Sequence, residues 1–509
     1  MLKTIRVIIS IAFFSLLTFL FMDFAGLLPN SFHVLAHLQF IPAWLAQSLG
    51  IMLFLLLLTA LLGRVYCSSI CPMGVFQDIA AWLSKKTAKK KKRYTYSPAK
   101  TILRWSVLAA ALLAFFLNYP VVMGVIDPYS AYGRIAVNLF KPVYMAGNNV
   151  LESIFTGFGN YTFYKVDVAI WSSLTFAVAL ITFLAIGFLA WKHGRTYCNT
   201  VCPVGTVLGL ISKYSVIKIG IDQSTCNGCG LCASQCKASC IDSKLHQVDN
   251  SRCVACFNCL DSCKQKALSY KFRYRKKTQE NGTKQPADLS KRQFLLTSAA
   301  AVASVPAALA QSKLDKLTGG GKYARQTPIS PPGAKSAENL MKHCTSCHLC
   351  VSRCPSNVLK PALLEYGVGG IMQPVMSFDR GYCNYDCTVC TEVCPNGALH
   401  ALTVDEKHKT QVGHVVFRKE ICVVHAYGTN CGACAEHCPT QAVTMVPYKN
   451  GLSIPHTDPD ICIGCGGCEF ICPVRPHTAI HVEGNPVHLT AKAFEEEEKS
   501  DVVIDGFGF

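Results

Sequence analysis

The most constraining feature of this 509-residue chain is a cysteine pattern that occurs twice between residues 226 and 263. The first copy reads Cys-Asn-Gly-Cys-Gly-Leu-Cys-Ala-Ser-Gln-Cys, and the second reads Cys-Val-Ala-Cys-Phe-Asn-Cys-Leu-Asp-Ser-Cys. The spacing Cys-x2-Cys-x2-Cys-x3-Cys holds a [4Fe–4S] cluster, and in two-cluster arrangements the fourth cysteine of each run ligates the other cluster. The spacing therefore predicts one quartet of Cys226, Cys229, Cys232 and Cys263, and a second of Cys253, Cys256, Cys259 and Cys236.

A larger cysteine array follows between residues 344 and 472, after a Gly/Pro-rich tether. Each of its four motifs ends in Cys-Pro, and its sixteen thiolates are enough for four more [4Fe–4S] clusters. The predicted ligands are Cys344, Cys347, Cys350, Cys354, Cys383, Cys387, Cys390, Cys394, Cys422, Cys431, Cys434, Cys438, Cys462, Cys465, Cys468 and Cys472. The segment Cys344-Thr-Ser-Cys347-His348 also fits c-type haem attachment, but the cysteines that follow it at cluster spacing favour a cluster. Six clusters are thus predicted.

Composition narrows the class of protein. Half of the residues are apolar and only 16% are charged, which favours a membrane protein. A disulfide-rich secreted protein would be short and would not repeat these spacings, so the 29 cysteines favour clusters. Much of the net charge of +18 lies beside apolar segments, where the positive-inside rule explains it without a nucleic-acid partner. The chain has no dinucleotide fingerprint and no P-loop, so no nucleotide cofactor is expected.

Four stretches have the length and apolarity of membrane spans: 4–26, 41–63, 102–125 and 167–190. The loop 64–104 holds ten Lys and Arg residues, whereas the loop 23–40 holds none. This alternation places the N-terminus and the first cysteine block in the cytoplasm. The predicted fold is a polytopic α-helical membrane domain with four spans (1–215), followed by an α+β ferredoxin-like domain with two clusters (216–275).

A repeat is visible inside the membrane half. The segment Tyr66-Cys-Ser-Ser-Ile-Cys-Pro-Met-Gly follows the second span, and Tyr197-Cys-Asn-Thr-Val-Cys-Pro-Val-Gly follows the fourth. Two copies of this arrangement suggest two structural repeats packed together, which would bring four thiols close to one another. Converging thiols can ligate a metal centre or form reversible disulfides; alternatively, Cys-Pro-x-Gly only shapes the helix exit. The cysteines concerned are Cys67, Cys71, Cys198 and Cys202.

The paired Cys-x3-Cys-Pro motifs and the cysteine block after them resemble the NapH-type membrane quinol dehydrogenase subunit over residues 1–275. Nitrous-oxide regulator and oxidase-assembly proteins share these motifs. One departure is that Lys237 and Lys264 stand where ferredoxins usually carry Pro, which leaves Cys240 as an alternative to Cys236 for the fourth ligand. A quinol site needs proton acceptors, and the candidates on the face opposite the cysteine motifs are Asp23, His33, His37 and Asp127. Taken singly, each also fits a solvated loop residue.

A basic linker occupies residues 276–335. Within it, Ser-Lys-Arg-Gln-Phe-Leu-Leu and an Ala-rich run resemble a twin-arginine export signal placed mid-chain, with a cleavage motif ending at Ala310. Residues 294–310 could instead form a fifth span, or a helical linker that leaves the whole chain facing the cytoplasm.

Residues from about 290 to 482, including the export-like signal, resemble the NapG-type exported four-cluster ferredoxin. The four-cluster domain itself is predicted at 336–485, and an acidic tail follows at 486–509. The resemblance implies nested pairing of the motifs. In that scheme the first motif exchanges its last cysteine with the fourth motif, so that Cys472 joins Cys344, Cys347 and Cys350. The second motif exchanges with the third, so that Cys438 joins Cys383, Cys387 and Cys390.

These observations predict a multi-pass electron-transfer protein of the bacterial inner membrane, with its two-cluster domain in the cytoplasm and its four-cluster domain in the periplasm. It would oxidise quinol from the membrane pool, as a quinol dehydrogenase subunit, and pass electrons to a periplasmic reductase or multihaem cytochrome c. Two alternatives remain: a redox-sensing or metallocentre-assembly membrane protein, and a cytoplasmic-facing electron-input subunit.

Overall fold

The computed structural model describes residues 1–87, 93–117, 119–168, 170, 172–272 and 325–492. They form a helical body (1–215), a central cysteine domain (216–272) and a C-terminal cysteine domain (325–492). The predicted export signal or fifth span, the cleavage motif at Ala310 and the glutamate run of the acidic tail lie outside the described residues.

The helical body consists of apolar and amphipathic helices joined by turns and loops. Its helices are α1 Leu2–Met22, α2 Val34–His37, α3 Phe40–Leu45, α4 Leu49–Leu62, α5 Val65–Ser69, α6 Pro72–Thr87, α7 Thr101–Phe116, α8 Pro120–Ile126, α9 Pro128–Ile135, α10 Lys141–Gly157, α11 Ser173–His193, α12 Thr196–Thr200 and α13 Pro203–Lys213. A 3₁₀ turn (Asn30–His33) precedes α2, and a π-helical turn (Ala136–Phe140) joins α9 to α10.

Two of the described helices, α1 and α11, are long and apolar enough to cross a membrane. Only 28% and 22% of their most apolar stretches are buried inside the protein, so most of their apolar surface faces outward. The other two predicted spans are divided. Residues 41–63 form α3 and α4 around a turn in which Gln47 has a φ of +52°, and residues 102–125 form α7 and α8, separated just before Pro120. These two helices are compatible with membrane association, which stays a prediction together with the four-span domain.

Two parts of the helical body repeat the same order of elements. In both α4–α5–α6 and α11–α12–α13, a long apolar helix is followed by a Gly-Arg turn, a short helix, and a Cys-Pro step that starts a second helix. The second helix of each repeat packs on the other repeat, because α6 lies against α11 and α13 lies against α4. This exchange holds the repeats together and places their two Cys-x3-Cys-Pro turns side by side.

The central cysteine domain is a small α+β unit. Strand β1 (Ile217–Ile221) pairs antiparallel with β4 (Leu268–Phe272), and β2 (Ile241–Asp242) pairs with β3 (Gln247–Val248). Each cysteine run leads into a helix of five residues, and the two helices pack together. They are α14 (Leu231–Gln235) and α15 (Asn258–Ser262).

The C-terminal cysteine domain joins short helices to two-stranded antiparallel sheets. Its helices are α16 Ala337–His343, α17 Leu349–Arg353, α18 Val389–Glu392, α19 Val404–Lys409, α20 Val423–Tyr427, α21 Ala433–Glu436 and α22 Gly467–Ile471. Its strands are β5 Leu359–Pro361, β6 Pro374–Met376, β7 Thr410–Phe417, β8 Val443–Pro447, β9 Ser453–Thr457 and β10 Ile480–Thr490. The pairs are β5 with β6, β7 with β10, and β8 with β9.

The predicted limits of this domain, 336 and 485, are too narrow. Upstream, Arg325 already pairs with Glu469 at 2.7 Å, so the start of the domain lies inside the predicted linker. Downstream, β10 continues to Thr490, across the segment Gly484-Asn-Pro. A register shift between Gly484 and Leu489 accommodates this segment within the strand.

The two cysteine domains lie at opposite ends of α1. Near its start, Lys3 pairs with Asp261 of the central domain, with 2.9 Å between Nζ and Oδ2. Just after its end, Asp23 pairs with Arg353 of the C-terminal domain. The 21 residues of α1 span about 30 Å at the usual helical rise, so these two contacts lie about that far apart along the helix.

Candidate iron–sulfur sites

The first predicted quartet of the central domain surrounds one cavity. Ile221 of β1 and Leu268 of β4 contribute apolar walls to it. The cysteines that line the cavity are Cys226, Cys229, Cys232 and Cys263. The last cysteine of the second motif therefore joins the first three of the first motif, as exchange of the fourth ligand requires.

Five cysteines surround the second cavity of the central domain: Cys236, Cys240, Cys253, Cys256 and Cys259. The Sγ atoms of Cys236 and Cys240 are 3.6 Å apart, and both side chains are buried. Because both sulfurs face the same cavity, the fourth ligand can be either of them, and the alternative between Cys236 and Cys240 stays open.

In the C-terminal domain, neighbouring motifs exchange their last cysteines. Cysteines are assigned to the same quartet where they lie close enough to interact electrostatically with one another or where they line the same cavity. The first two motifs give Cys344, Cys347, Cys350 with Cys394, and Cys383, Cys387, Cys390 with Cys354. The last two give Cys422, Cys431, Cys434 with Cys472, and Cys462, Cys465, Cys468 with Cys438.

The nested pairing implied by the family resemblance is therefore wrong. The β8–β9 hairpin lies between the third and fourth motifs, so these two motifs meet through a short connection. Pairing the first motif with the fourth would instead close a loop of more than a hundred residues, at a larger entropy cost. Exchange between neighbouring motifs also repeats the arrangement of the central domain.

Paired substitutions can test this pairing. In the full chain, Cys354→Ala and Cys390→Ala should each remove the same cluster, so the double variant should lose no more iron than either single variant. Cys354→Ala combined with Cys468→Ala should lose the iron of two clusters, because the structure assigns these cysteines to different quartets. Iron and acid-labile sulfide measured per polypeptide check the prediction; additive losses for the first pair would contradict it.

The surroundings of these cysteines fit thiolate ligands. Backbone amides donate to sulfur from Ser346 to Cys344, from Leu399 to Cys394 and from Gly464 to Cys462, each at 3.4 Å. Such donors stabilise negative charge on cluster sulfurs. A bound [4Fe–4S] cluster gains or loses single electrons, so the domains can carry electrons.

The side chain of His348 has a structural role in the C-terminal domain. Its Nε2 is 2.9 Å from the carbonyl oxygen of Met372, and the side chain is buried. Burial lowers the pKa of this imidazole to about 3. Since Cys347 also belongs to a cluster quartet, these contacts favour a cluster over c-type haem in this segment.

The structure brings the four repeat cysteines together. Each is only 4% exposed, and Cys202 lies within electrostatic reach of Cys67, Cys71 and Cys198. Gln77 Nε2 donates to Cys198 Sγ at 3.2 Å, and the backbone amide of Gly205 donates to Cys202 Sγ at 3.3 Å. The second contact caps the N-terminus of α13, so Cys202 also helps to shape the start of this helix, which is the structural alternative given in the sequence analysis.

Among the described residues, no three His, Cys, Asp or Glu side chains are placed to share a single metal ion, in this group or in the cysteine domains.

A buried ion network lies between this group and the central domain. Asp78 accepts from Arg6 and Arg195 at 2.8 Å and lies 3.2 Å from Lys237 Nζ. Burial alone would raise the pKa of Asp78, but the three cations outweigh it and hold the pKa below its usual range. Lys237, the residue that replaces the usual Pro, is thus one of the links from the central domain to the helical body.

Sequence reasoning missed these buried arginines. Arg64 and Arg195 are both fully buried, and each reaches across to the other repeat. Arg64 Nη2 donates to the carbonyl oxygen of Cys198 at 3.0 Å, and Arg195 Nη1 donates to that of Cys67 at 2.6 Å. A sequence signal that could have predicted their importance is the repeated Arg-x-Tyr-Cys, whose Cys is the first cysteine of each Cys-x3-Cys-Pro turn.

The quinol candidates have different surroundings. Asp23 accepts from the amides of Leu27 and Leu28 and pairs with Arg353, so it anchors the C-terminal domain. His33 is buried in the same region, and its Nε2 has no hydrogen-bond partner among the described residues. Burial lowers the pKa of both His33 and His37, which favours their neutral forms.

Asp127 lies where the C-terminal domain docks. Its Oδ2 accepts from the amide and hydroxyl of Ser130 at 2.8 and 2.6 Å, whereas its buried Oδ1 has no partner among the described residues. Burial raises the pKa of this carboxyl, although the hydrogen bonds from Ser130 oppose the shift. The hydroxyl of buried Tyr129, which also lacks a described partner, lies within electrostatic reach of Asp127 and of Cys347.

The repeated cysteine quartets, their cavities and the amide donors around them define an iron–sulfur electron-transfer protein with several [4Fe–4S] sites. A family described as a 4Fe-4S binding domain matches residues 45–91 and 175–222. Two families described as 4Fe-4S dicluster domains match residues 249–358 and 429–475. The prediction of iron–sulfur ferredoxin domains is confirmed.

Known proteins identify the family. The chain is 27% identical over 157 residues to the ferredoxin-type protein NapF of Escherichia coli, covering 31% of this chain and 87% of that protein. It is 32% identical over 166 residues to the methylamine utilization ferredoxin-type protein MauM of Methylobacillus flagellatus, covering 31% and 68%. It is 28% identical over 152 residues to ferredoxin-type protein NapG of Escherichia coli, covering 28% and 65%. The chain belongs to the ferredoxin-type proteins. No solved structure matches it.

Proposed function

We propose that this protein oxidises quinol at a membrane and passes the electrons, through its iron–sulfur sites, to a partner reductase or cytochrome. The observation that carries the proposal is the position of the two cysteine domains at opposite ends of α1. The contacts that hold them there, Lys3 with Asp261 and Asp23 with Arg353, lie about 30 Å apart along α1, which matches the thickness of the hydrocarbon core of a bilayer. A helical body of that thickness between two electron-carrying domains suits an inner-membrane protein with one domain on each side.

The surface of the helical body supports membrane insertion. Large apolar side chains are exposed along α1, α4, α7 and α11, for example Ile8, Phe54, Leu113 and Ile181. An exposed apolar surface of this kind marks a membrane or protein interface. The basic residues of loop 64–104 favour the cytoplasm for the central domain, which leaves the periplasm for the C-terminal domain.

The contact between the helical body and the C-terminal domain is the proposed quinol site. Ser130 Oγ is 2.7 Å from Thr345 Oγ1, and Arg134 Nη1 donates to the carbonyl oxygen of Ser346 at 3.2 Å, so this contact holds the Cys344 quartet against the body. Beside it, Asp127 Oδ1 and the Tyr129 hydroxyl are buried and have no hydrogen-bond partner among the described residues, so a quinol hydroxyl admitted at this contact would supply one. Quinol oxidation releases two protons, and a carboxylate with a raised pKa is suited to accept one of them.

Substitution of Asp127 tests this site. Asp127→Asn retains an acceptor for the Ser130 amide but cannot take a proton, so quinol-dependent cluster reduction should slow by about 10²–10⁴-fold, the usual range for a general base. In the unsubstituted protein the rate should rise with pH through a pKa above the ordinary aspartate value, because only the ionised carboxyl accepts a proton. Stopped-flow absorbance with a menaquinol analogue in lipid measures both.

The matched control is Asp167→Asn, which changes an exposed carboxylate in the loop before α11. It should leave the rate and its pH profile unchanged. A normal rate in Asp127→Asn would remove Asp127 from the reaction. Failure of quinol to reduce any cluster whose measured potential lies above that of quinol would reject the proposed function itself.

Burial of the repeat thiols bears on the alternative of a redox sensor. Thiol exchange with a partner requires access to sulfur. Because Cys67, Cys71, Cys198 and Cys202 are each only 4% exposed, their placement favours an internal electron-transfer role.

A further inference from the structure

The group of Cys67, Cys71, Cys198 and Cys202 lies beside a positive charge that has no visible counter-ion. Arg64 is fully buried, and its guanidinium donates to Asn199, Ser251 and Cys198, which supply only neutral oxygens. No carboxylate pairs with it among the described residues. A buried charge without a partner is strongly destabilising, so the fold requires negative charge near Arg64.

The nearest source of negative charge is the thiols. Arg64 Nη2 lies 3.8 Å from Cys67 Sγ, and its guanidinium is also within electrostatic reach of Cys198 and Cys202. Four protonated thiols would leave the charge of Arg64 unbalanced, whereas thiolates bound to a metal centre would neutralise it. The amides and side chains that donate to Cys198 and Cys202 stabilise the same anionic state.

The charge balance of the nearby ion network also favours an anionic centre at these cysteines. Asp78 offers one negative charge to three cations, Arg6, Arg195 and Lys237. Arg195 lies within electrostatic reach of Cys198 of the thiol group and of Cys256 of the central domain. The excess positive charge thus lies between two groups of cysteines, where anionic centres on both sides would balance it.

The sequence repeat explains why the centre must be shared. The family described as a 4Fe-4S binding domain matches each repeat separately, yet each match contains only two cysteines. Neither pair can complete a quartet alone. Because α6 and α13 each pack on the opposite repeat, the two Cys-x3-Cys-Pro turns face each other and supply two thiols apiece.

We propose that Cys67, Cys71, Cys198 and Cys202 together bind one iron–sulfur centre inside the helical body, in addition to the clusters of the two cysteine domains. The inference concerns metal binding and holds whether or not the electrons come from quinol. The ligands stay thiolates in both oxidation states, so the centre changes by one electron at a time with no proton uptake.

The position of this centre gives it a role between the two domains. One continuous buried core contains Cys256 of the central domain, the four repeat cysteines, Tyr129, and Cys347 of the C-terminal domain. On the side facing the C-terminal domain, Tyr197 lies within electrostatic reach of Cys202 and Asp127, and its hydroxyl donates to the carbonyl oxygen of Ile126 at 2.7 Å. The centre would therefore divide the distance between the two domains into two shorter electron-transfer steps, for an electron that enters from a cluster of one domain and leaves to a cluster of the other.

Metal analysis of cysteine variants tests the shared site. In the full chain, purified without oxygen, Cys67→Ser and Cys198→Ser should each lose the iron and sulfide of one centre, and the double variant should lose no more. The loss would be two irons for a [2Fe–2S] centre or four for a [4Fe–4S] centre. Ser69→Ala, in the same buried turn, is the control and should keep all of its iron. Unchanged iron, additive losses in the double variant, or zinc in place of iron would overturn the proposal.

A charge variant keeps the proposal testable where a cysteine variant does not fold. Arg64→Gln leaves all four ligands in place and removes a positive charge beside them. One paramagnetic signal should shift to a more negative midpoint potential, because the added electron loses electrostatic stabilisation. Lys213→Gln, an exposed cation at the far end of α13, should shift none. A set of signals that Arg64→Gln leaves unshifted would reject a redox centre at these cysteines.

Discussion

Replacing Asp78 with asparagine should lower the free energy of unfolding of the helical body by about 3–5 kcal/mol, the usual result of removing one partner of a buried ion pair. Asp78 is buried and faces Arg6, Arg195 and Lys237, so the variant would leave three cations without their shared carboxylate. Because the folded-state pKa of Asp78 lies below the ordinary value of about 3.9, its contribution is complete at neutral pH and is lost only in strong acid. The difference between the two proteins should therefore be constant near pH 7, measured by thermal unfolding in detergent.

The control is Asp261→Asn, which breaks the pair with Lys3 at the same end of α1. The side chains of Lys3 and Asp261 are both about half exposed, so Asp261→Asn should lower the free energy of unfolding by about 1 kcal/mol or less. The two variants remove the same charge and differ mainly in burial. Equal effects would show that the helical body does not depend on the Asp78 network.

The sequence was most informative where a motif is local. Cys226, Cys229 and Cys232 lie within seven residues, so their spacing alone specifies that they face one cluster. The exchange of Cys263 into that quartet follows from the rule for two adjacent motifs. In the C-terminal domain the same rule applies between neighbours, and the nested scheme failed because spacing defines a motif but not its partner.

Features that depend on distant residues were beyond the sequence. Asp78 and Arg195 are separated by 117 positions, and neither has a local neighbour that announces the pair. Similarly, the contact of Asp23 with Arg353 spans 330 positions and depends on how a whole domain docks. Apolarity predicted the long apolar helices α1 and α11, but a hydropathy average over a whole stretch does not reveal the break at Gln47 or the one before Pro120.

Gly205 should be intolerant of even a single methyl group. A Cβ atom at this position would lie 2.1 Å from the carbonyl oxygen of Cys198 and 2.8 Å from Arg64 Nη2, neither of which can move freely. Gly74 stands in the matching position of the other repeat, where a Cβ would lie 2.1 Å from the carbonyl oxygen of Cys67 and 2.9 Å from Arg195 Nη1. The two glycines let each second helix start close against the thiol turn of its own repeat, under the arginine from the other.

Helix propensity and packing make opposite predictions for Gly205→Ala, and their magnitudes decide between them. Propensity alone favours Ala in a helix by about 0.5–1 kcal/mol, whereas overpacking a tight site costs about 1–3 kcal/mol and occasionally more. A contact of 2.1 Å with a backbone oxygen lies at the severe end of this range, so we expect Gly205→Ala to lower the stability of the protein.

The control is Gly147→Ala in α10, where an added Cβ would meet nothing within 4 Å. This substitution should instead stabilise the protein by about 0.5–1 kcal/mol. Thermal unfolding of the two variants should thus shift in opposite directions, and Gly205→Ala should also lose iron, because displacing the Cys198 turn disturbs two of the four thiols. A stable, fully iron-loaded Gly205→Ala protein would show that this turn can relax and that close packing is not what positions the thiols.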